Sequence, residues 1–357
     1  MSDSTRPDRT RYSRSPRSRI SIQQVADRVG VAPSSVSRVL SGHPNVSEVM
    51  RNRVADAVAA LGYEPDLLAQ SLRRGASRTV GFVVGDISNP LLSEITLGAE
   101  IGLRRSGYTM LLANSMDDPD LDATHIRLFS QRRVDGLLLS LSDENSEPTL
   151  DALARARLPC VLVDREIASV DHASAVVTDH EAGMTAAVDH LVALGHSRIA
   201  LVNGNPRVLP ARRRAAILRR CARRFGVNAA VRSGSFTATH GEESMDALLD
   251  ERDPPTAVIA GSNQIVVGVL RSLRRRGCSV PDDISLVTCD HLALSEFVDP
   301  PLATIERDLL QMGSVAANLF LELLGGAKPR HVSLPTTFRE SRSCAPPRVS
   351  AEMPRHG

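Results

Sequence analysis

Apolar residues follow two rhythms along this chain, and the rhythm changes near residue 77. Between Ser21 and Gly42 they recur at helical spacing, with Ile22, Val25, Ala26 and Val29 forming one face. Ser21 with Gln24 makes a capping box at the start of that stretch, and Gly30 gives a tight exit. Pro33 opens a second helix, where a missing backbone N–H is tolerated. Val36, Val39 and Leu40 can pack back on the first helix, which leaves Ser34, Ser35, Ser37 and Arg38 pointing outward. A third helix is predicted from Glu48 to Leu61, with Val54, Val58 and Leu61 inward, ending at Gly62-Tyr63-Glu64-Pro65. Asp66 can then cap a short helix from Leu67 to Arg74, ahead of Gly75.

From Ser77 onward short apolar runs bounded by polar turns alternate with longer helical stretches. The runs are Thr79–Val84, Tyr108–Ala113, Val134–Ser140, Cys160–Val163, Ala175–Val177, Ile199–Val202, Ala257–Ala260 and Ile284–Cys289. Helices are predicted between them, among them Leu92–Gly107, Ala182–Leu194, Ala211–Phe225 and Gln264–Arg276. Such alternation predicts parallel sheets covered by helices on both faces. The strands are too many for one sheet of ordinary size. The expected fold is therefore an N-terminal all-α helix-turn-helix domain followed by an α/β core of two parallel-sheet subdomains.

Composition changes this picture in three places. A chain of 357 residues with 42% hydrophobic content can fill more than one core. Its net charge of +2 hides a basic N-terminus, where Arg6, Arg9, Arg11, Arg14, Arg17 and Arg19 stand among Ser, Thr and Pro without apolar periodicity. That segment reads as a disordered tail, either idle or adding salt-screened attraction to phosphates. No apolar run follows those arginines and no stretch approaches a membrane span, so neither export nor a membrane anchor is expected. The five cysteines are scattered without metal-ligand spacing, which suits reduced thiols in a cytoplasm and no zinc site.

Candidate chemistry falls into two groups. Short hydroxyls and one guanidinium on the exposed face of the second helix suit a duplex groove, where Arg38 can grip a guanine edge or a phosphate. In open α/β sheets ligands sit beyond the carboxyl ends of the strands. The polar residues there include Asp86, Asn89, Asp164, Arg165, Asn203, Ser262 and Asp290, with Arg212 to Arg214 opening a helix nearby. Carboxylates, guanidinium groups and amides converging on one cleft can make bidentate contacts to vicinal hydroxyls or a carboxylate. An enzyme would need a nucleophile with its base, a metal cluster or a phosphate cradle. The sequence holds no GxSxG, Walker, HExxH or GxGxxG pattern, so no catalysis, metal or cofactor is expected. An exported sugar-binding protein would leave residues 21–74 without a purpose.

The stretches VADRVGVAPSSVSRVLSG, NVSEVMRNRVADAVAALGYEPDLLAQSLRRG and TVGFVV together resemble the lac repressor family of bacterial transcription regulators. The likeness runs on to about Pro347. It implies a repressor that binds operator DNA as a homodimer and is switched by a small sugar-like effector. Pro33, Ser34 and Arg38 match its principal major-groove positions, and the resemblance puts Ser37, Asn45 and Ser47 at phosphate contacts, which set register and not sequence. Leu72 matches the hinge-helix leucine that wedges between base steps in the minor groove, and Ala69 matches an alanine lying close to that groove. Asp290 and Arg214 match typical effector contacts, and Phe236 matches the aromatic that stacks on the effector. Ser262-Asn263 replace the family's usual Asn-Asp, Ala32 replaces a capping Ser, and Leu91-Leu92 make one pocket wall aliphatic.

The implied plan is a tail at 1–20, a DNA-binding domain at 21–65, a hinge helix at 66–76, a core at 77–345 and a tail at 346–357. Within the core the first subdomain spans about 77–177 and 306–330, and the second about 178–305 and 331–345. By family likeness the chain crosses between them near Thr178, Ile305 and His331.

Overall fold

The computed structural model describes residues 20–63, 76–290 and 298–348, which fall into two compact units dividing at Ser77 and Arg78. The helix expected from Leu67 to Arg74, with Ala69 and Leu72, lies outside the described residues, as do residues 1–19 of the basic tail.

In the first unit three helices, α1 (Ile22–Val29), α2 (Pro33–Leu40) and α3 (Glu48–Leu61), enclose Val25, Ala26, Val29, Val36, Val54, Ala57 and Tyr63. The capping box of α1 is formed, and Gly30 and Gly62 leave α1 and α3 in the left-handed conformation that a Cβ would oppose. Arg53 of α3 donates to the Val29 carbonyl at 2.6 Å, satisfying an orphan acceptor at the end of α1.

The second unit holds two six-stranded sheets. In chain order the strands are β1 (Thr79–Val84), β2 (Thr109–Asn114), β3 (Gly136–Ser140), β4 (Cys160–Val163), β5 (Ala173–Asp179) and β6 (Arg198–Asn203). There follow β7 (Asn228–Ser233), β8 (Ala257–Ala260), β9 (Ser285–Cys289), β10 (Ala303–Glu306), β11 (His331–Pro335) and β12 (Thr337–Arg339). The first sheet has the order β11-β5-β4-β3-β1-β2 and the second β12-β10-β9-β8-β6-β7, with only β12 antiparallel. Period-two alternation sorts each strand between two cores. Val80, Phe82 and Val84 of β1 face one cluster and Val83 the other, so both faces are buried and the strand reads as one continuous apolar run.

Two features were not foreseen. The strands β7, β10, β11 and β12 are short or edge segments with few apolar residues, which hid them. The third crossing is not near His331: β11 pairs in parallel with β5 from His331↔Ala175 to Pro335↔Asp179, so it belongs to the first sheet. Leu334 joins the core shared with Val176, which holds the strand there, and the chain crosses at Thr336 instead. Thr336 ties this crossing to the first one, donating to the Asp179 carbonyl at 2.8 Å and accepting from Gly183 N–H at 3.1 Å. The second crossing lies between β10 and the helix Leu309–Leu324. The tail expected from residue 346 is held as far as Arg348, which donates to Asp283 at 2.8 Å.

The helices Pro90–Arg105 and Leu309–Leu324 cover one face of the first sheet, and they approach closely enough to exclude a side chain. A Cβ at Gly313 would stand 2.0 Å from the Ile95 carbonyl oxygen, and one at Gly98 would stand 2.2 Å from that of Leu310. Backbone cannot yield as a flexible side chain can. Gly313→Val is therefore expected to destabilise this unit by about 1–3 kcal/mol or more, read as a lowered melting temperature beside an unchanged Gly226→Asn control.

Candidate functional site

The outward face of α2 carries Ser34 and Arg38, both exposed, with Pro33 as the first helical residue and Ser37 half-buried. Its N-cap, Ala32, offers no side-chain bond, so Pro33 fixes the first turn alone. Asn45 is exposed in the loop before α3. Ser47 is the N-cap of α3, and its hydroxyl oxygen accepts from Met50 N–H at 3.4 Å while its O–H remains able to donate. Arg51, itself exposed, donates to the His43 and Val46 carbonyls at 3.3 Å each. It therefore braces the loop that presents Asn45. The hinge residues Ala69 and Leu72 lie outside the described residues.

In the second unit, Asp86, Asn89, Arg165, Arg214, Phe236, Ser262 and Asp290 all line one cavity of about 70 Å³ at the carboxyl ends of the strands. Leu91, Leu92 and Ile95 form an aliphatic wall, and the edge of the Phe236 ring occupies the space a Cβ on Gly204 would need. Several of these side chains are already engaged. Asp86 accepts from the N–H and hydroxyl of Ser88 at 2.9 and 2.7 Å. Ser262 caps the helix Asn263–Arg276 by accepting from Ile265 N–H at 3.1 Å. Asn89 caps the helix Pro90–Arg105 and also accepts from Asn263 Nδ2 at 3.0 Å, a bond between the two subdomains. Arg165 donates to the carbonyls of Leu141 and Asp164.

The cavity is also lined by a residue not singled out from the sequence. Arg307 stands on the second crossing with its side chain 5% exposed, and its fork is used on both sides. It donates to Asp290 Oδ1 at 2.6 Å and Oδ2 at 3.2 Å, to Thr178 Oγ1 at 2.7 Å, and to Asp164 Oδ2. Asp164 follows β4 and Asp290 follows β9, and both adopt left-handed backbone, with φ of 54° and 68°. That conformation is uncommon for side chains other than Gly, Asn or Asp, and here it turns both carboxylates toward one guanidinium. Burial is the largest single influence and pushes the Asp164 carboxyl up, but the Arg307 charge and hydrogen bond, joined by the charges of His180 and Arg165, together outweigh it and hold the group well below the usual carboxylate range. Burial likewise disfavours the charged Arg307, yet Asp290 and Asp164 together raise its affinity for the proton.

Arg214 is buried beside this trio. It donates to the Gly261 carbonyl at 2.7 Å, stands 3.9 Å from Asp290 Oδ2, and leaves Nε without a hydrogen-bond partner. Asp117 and Ser140 also line the cavity, and neither was singled out from the sequence. The signal for Arg307 was slight: one arginine after a four-residue strand, before the capping Asp308. The arrangement offers directed donors and acceptors around an apolar slot. It holds no nucleophile–base pair and, among the described residues, no group of side chains that could bind a metal.

Comparison with known proteins fits this division into two units. Residues 21–66 match the family described as bacterial regulatory proteins, lacI family, and residues 188–344 match a periplasmic binding protein-like domain. The chain is 32% identical over 310 residues to the HTH-type transcriptional repressor CytR of Escherichia coli (strain K12), covering 85% of this chain and 90% of that one. It is 29% identical to the repressor PurR of Aliivibrio salmonicida (strain LFI1238), covering 84% and 91%. Among solved structures it resembles the lac repressor dimer bound to operator and the anti-inducer ONPF, with TM-score 0.80, 26% identity and coverage of 91% and 99%. A CelR–cellobiose complex is also similar, with TM-score 0.69, 28% identity and coverage of 91% and 100%.

His180, at the first crossing, is buried with neither ring nitrogen hydrogen-bonded. Burial, then the charge of Arg214, pushes it well below the ordinary histidine value, with Arg307 and Arg213 adding to the effect and Asp164 opposing it. The native ring is thus neutral, while in the unfolded chain it takes a proton below about pH 6.5. Its contribution to stability is present above that pH and is lost as pH falls, by up to about 1.4 kcal/mol per pH unit. Between pH 7.5 and 5.5 the melting temperature of the parent should fall further than that of His180→Gln. Parallel curves for the two proteins would contradict this.

Proposed function

The chain belongs to the lacI family of bacterial regulatory proteins, and we propose that it is a homodimeric repressor whose grip on operator DNA is set by a small polyhydroxylated effector in the core cleft. It is a DNA-binding transcription regulator and not an enzyme. The observation that carries the effector reading is the cavity around Arg307, where Asp164, Asp290 and Arg214 offer charged hydrogen-bonding groups and Phe236 offers an apolar face. That combination suits a sugar or sugar derivative, with hydroxyls for the rim and C–H surface for the ring. At about 10–15 Å³ per water the enclosed space takes several waters, which favours a compact ligand. Asp290 keeps lone pairs for ligand hydroxyls beside its bonds to Arg307.

For DNA, Pro33, Ser34 and Arg38 present the reading face of α2, and Ser37, Asn45 and Ser47 its phosphate-contacting flank. Leu72 supplies the minor-groove wedge, and Ala69 lies close to the groove. A second copy suits the first subdomain, where Leu97, Leu111, Leu112, Met116, Leu128 and Leu310 are large apolar side chains left exposed. A cytoplasmic location follows from the DNA target.

Three outcomes test this reading. Arg38→Ala should weaken operator binding by about 1–3 kcal/mol in fluorescence anisotropy while leaving binding to unrelated duplex nearly intact. Leu111→Glu with Leu112→Glu should convert a dimer into monomers in light scattering, with operator affinity falling steeply. Asp290→Asn keeps the shape of the trio, and should bind operator yet lose the shift that an active effector causes in the parent. An unchanged effector midpoint in Asp290→Asn would remove Asp290 from the effector site.

A further inference from the structure

The loop after β3 carries Asp143 and Glu144, two adjacent carboxylates that are each only 3% exposed. Within their own subdomain Asp143 Oδ1 accepts from Asn145 N–H at 2.9 Å and Glu144 Oε1 from Glu166 N–H at 3.3 Å, but their ion-pair partners lie in the other subdomain. Asp143 Oδ2 accepts from Arg207 Nη1 at 2.6 Å, and Glu144 Oε2 accepts from Arg212 Nη2 at 2.5 Å. Glu144 Oε1 accepts from Leu209 N–H at 2.8 Å. Leu209 is the first residue of the helix Leu209–Phe225, whose N-cap, Val208, has no side chain able to cap it. Glu144 fills that place from across the cleft, with its charge at the positive end of the helix. Asn205 adds a bond to the Ser142 carbonyl at 3.2 Å, and the Leu209 side chain is buried in the core of the first subdomain.

These ties stand apart from the crossings. The chain crosses at β5, β10, β11 and β12, toward one edge of each sheet, whereas the loops in question follow β3 and β6, deeper in the strand order. The same helix carries Pro210 and Arg214 into the cavity. Moving it away from Glu144 would therefore move a cavity wall, uncap the helix and expose two carboxylates together.

We propose that Glu144 is a positioning residue that clasps the two subdomains: it anchors the start of the helix Leu209–Phe225, and with it Arg214, and so fixes how far the cleft is closed. This rests on the reading of the cleft as an effector site that governs operator binding. Arg212, whose side chain is 41% exposed, can turn to water when the clasp opens.

The test uses the full chain as parent, Glu144→Ala, Glu144→Gln, Arg212→Ala and the Glu144→Ala/Arg212→Ala pair. Amide hydrogen exchange is followed at residues 206–213, with the helix Glu181–Ala193 of the same subdomain as internal control. Glu144→Ala should raise exchange at 206–213 about tenfold or more, with the control helix unchanged. Glu144→Gln keeps an acceptor for Leu209 N–H and should restore most of the protection. The paired variant should exchange little faster than Glu144→Ala alone, because both remove one contact. Unchanged exchange in Glu144→Ala, an equal rise in the control helix, or a glutamine variant no better than alanine would each overturn the clasp. Operator affinity of the same variants, measured without added ligand, should shift about fivefold or more in Glu144→Ala. Loosened exchange with parental operator affinity would leave the clasp standing and overturn the switching role given to the cleft.

Discussion

A guanidinium buried without carboxylates would be untenable, and much of the core is arranged around that demand at Arg307. Removing an ion from water costs several kcal/mol even after relaxation, and only close charge partners with good hydrogen bonds offset it. Arg307 obtains them from Asp164 in one subdomain and Asp290 in the other, with Thr178 completing the fork. Neither sheet alone could satisfy it. The charge therefore ties the closed arrangement of the cleft to the crossing on which Arg307 stands.

The sheets explain why the partners can be there. In a parallel sheet all strands end on the same side, so turns after β1, β4, β6, β8 and β9 gather at one rim. Two such sheets facing each other bring Asp164 and Asp290, far apart in sequence, to opposite sides of one cavity. The left-handed turns at both aspartates aim the carboxylates inward. Helices seated by glycine, as Gly98 and Gly313 show, hold the frame that makes this aim reproducible.

The polar ties across the cleft differ in kind. The Arg307 trio lies at a crossing, where the connecting chain already limits motion. Asn89–Asn263 and the Glu144 contacts lie where the subdomains are joined by side chains and single backbone groups alone. A ligand that enters the cavity meets a set of protein–protein bonds that it must fit or replace. A regulator of this family needs such competing contacts, because a ligand shifts an equilibrium only by its differential affinity for two arrangements.

Local sequence determined a great deal here. Helical spacing of Ile22, Val25, Ala26 and Val29, the Ser21–Gln24 cap and the glycines at 30 and 62 specify three small helices through contacts only a few residues long. The apolar runs specify the buried strands, and the residues after them, Asp86, Asn89, Arg165, Arg214, Ser262 and Asp290 among them, do meet at one cavity with Phe236. What the sequence did not reveal depends on partners distant along the chain. Arg307 gains meaning only when Asp164 and Asp290 reach it, Glu144 only when Leu209 and Arg212 arrive from the other subdomain, and β11 only when it pairs with β5. Periodicity records which face of an element is buried. It carries no record of which charges meet across a cleft, because that pairing is set by the order of strands in two sheets and by where the chain passes between them.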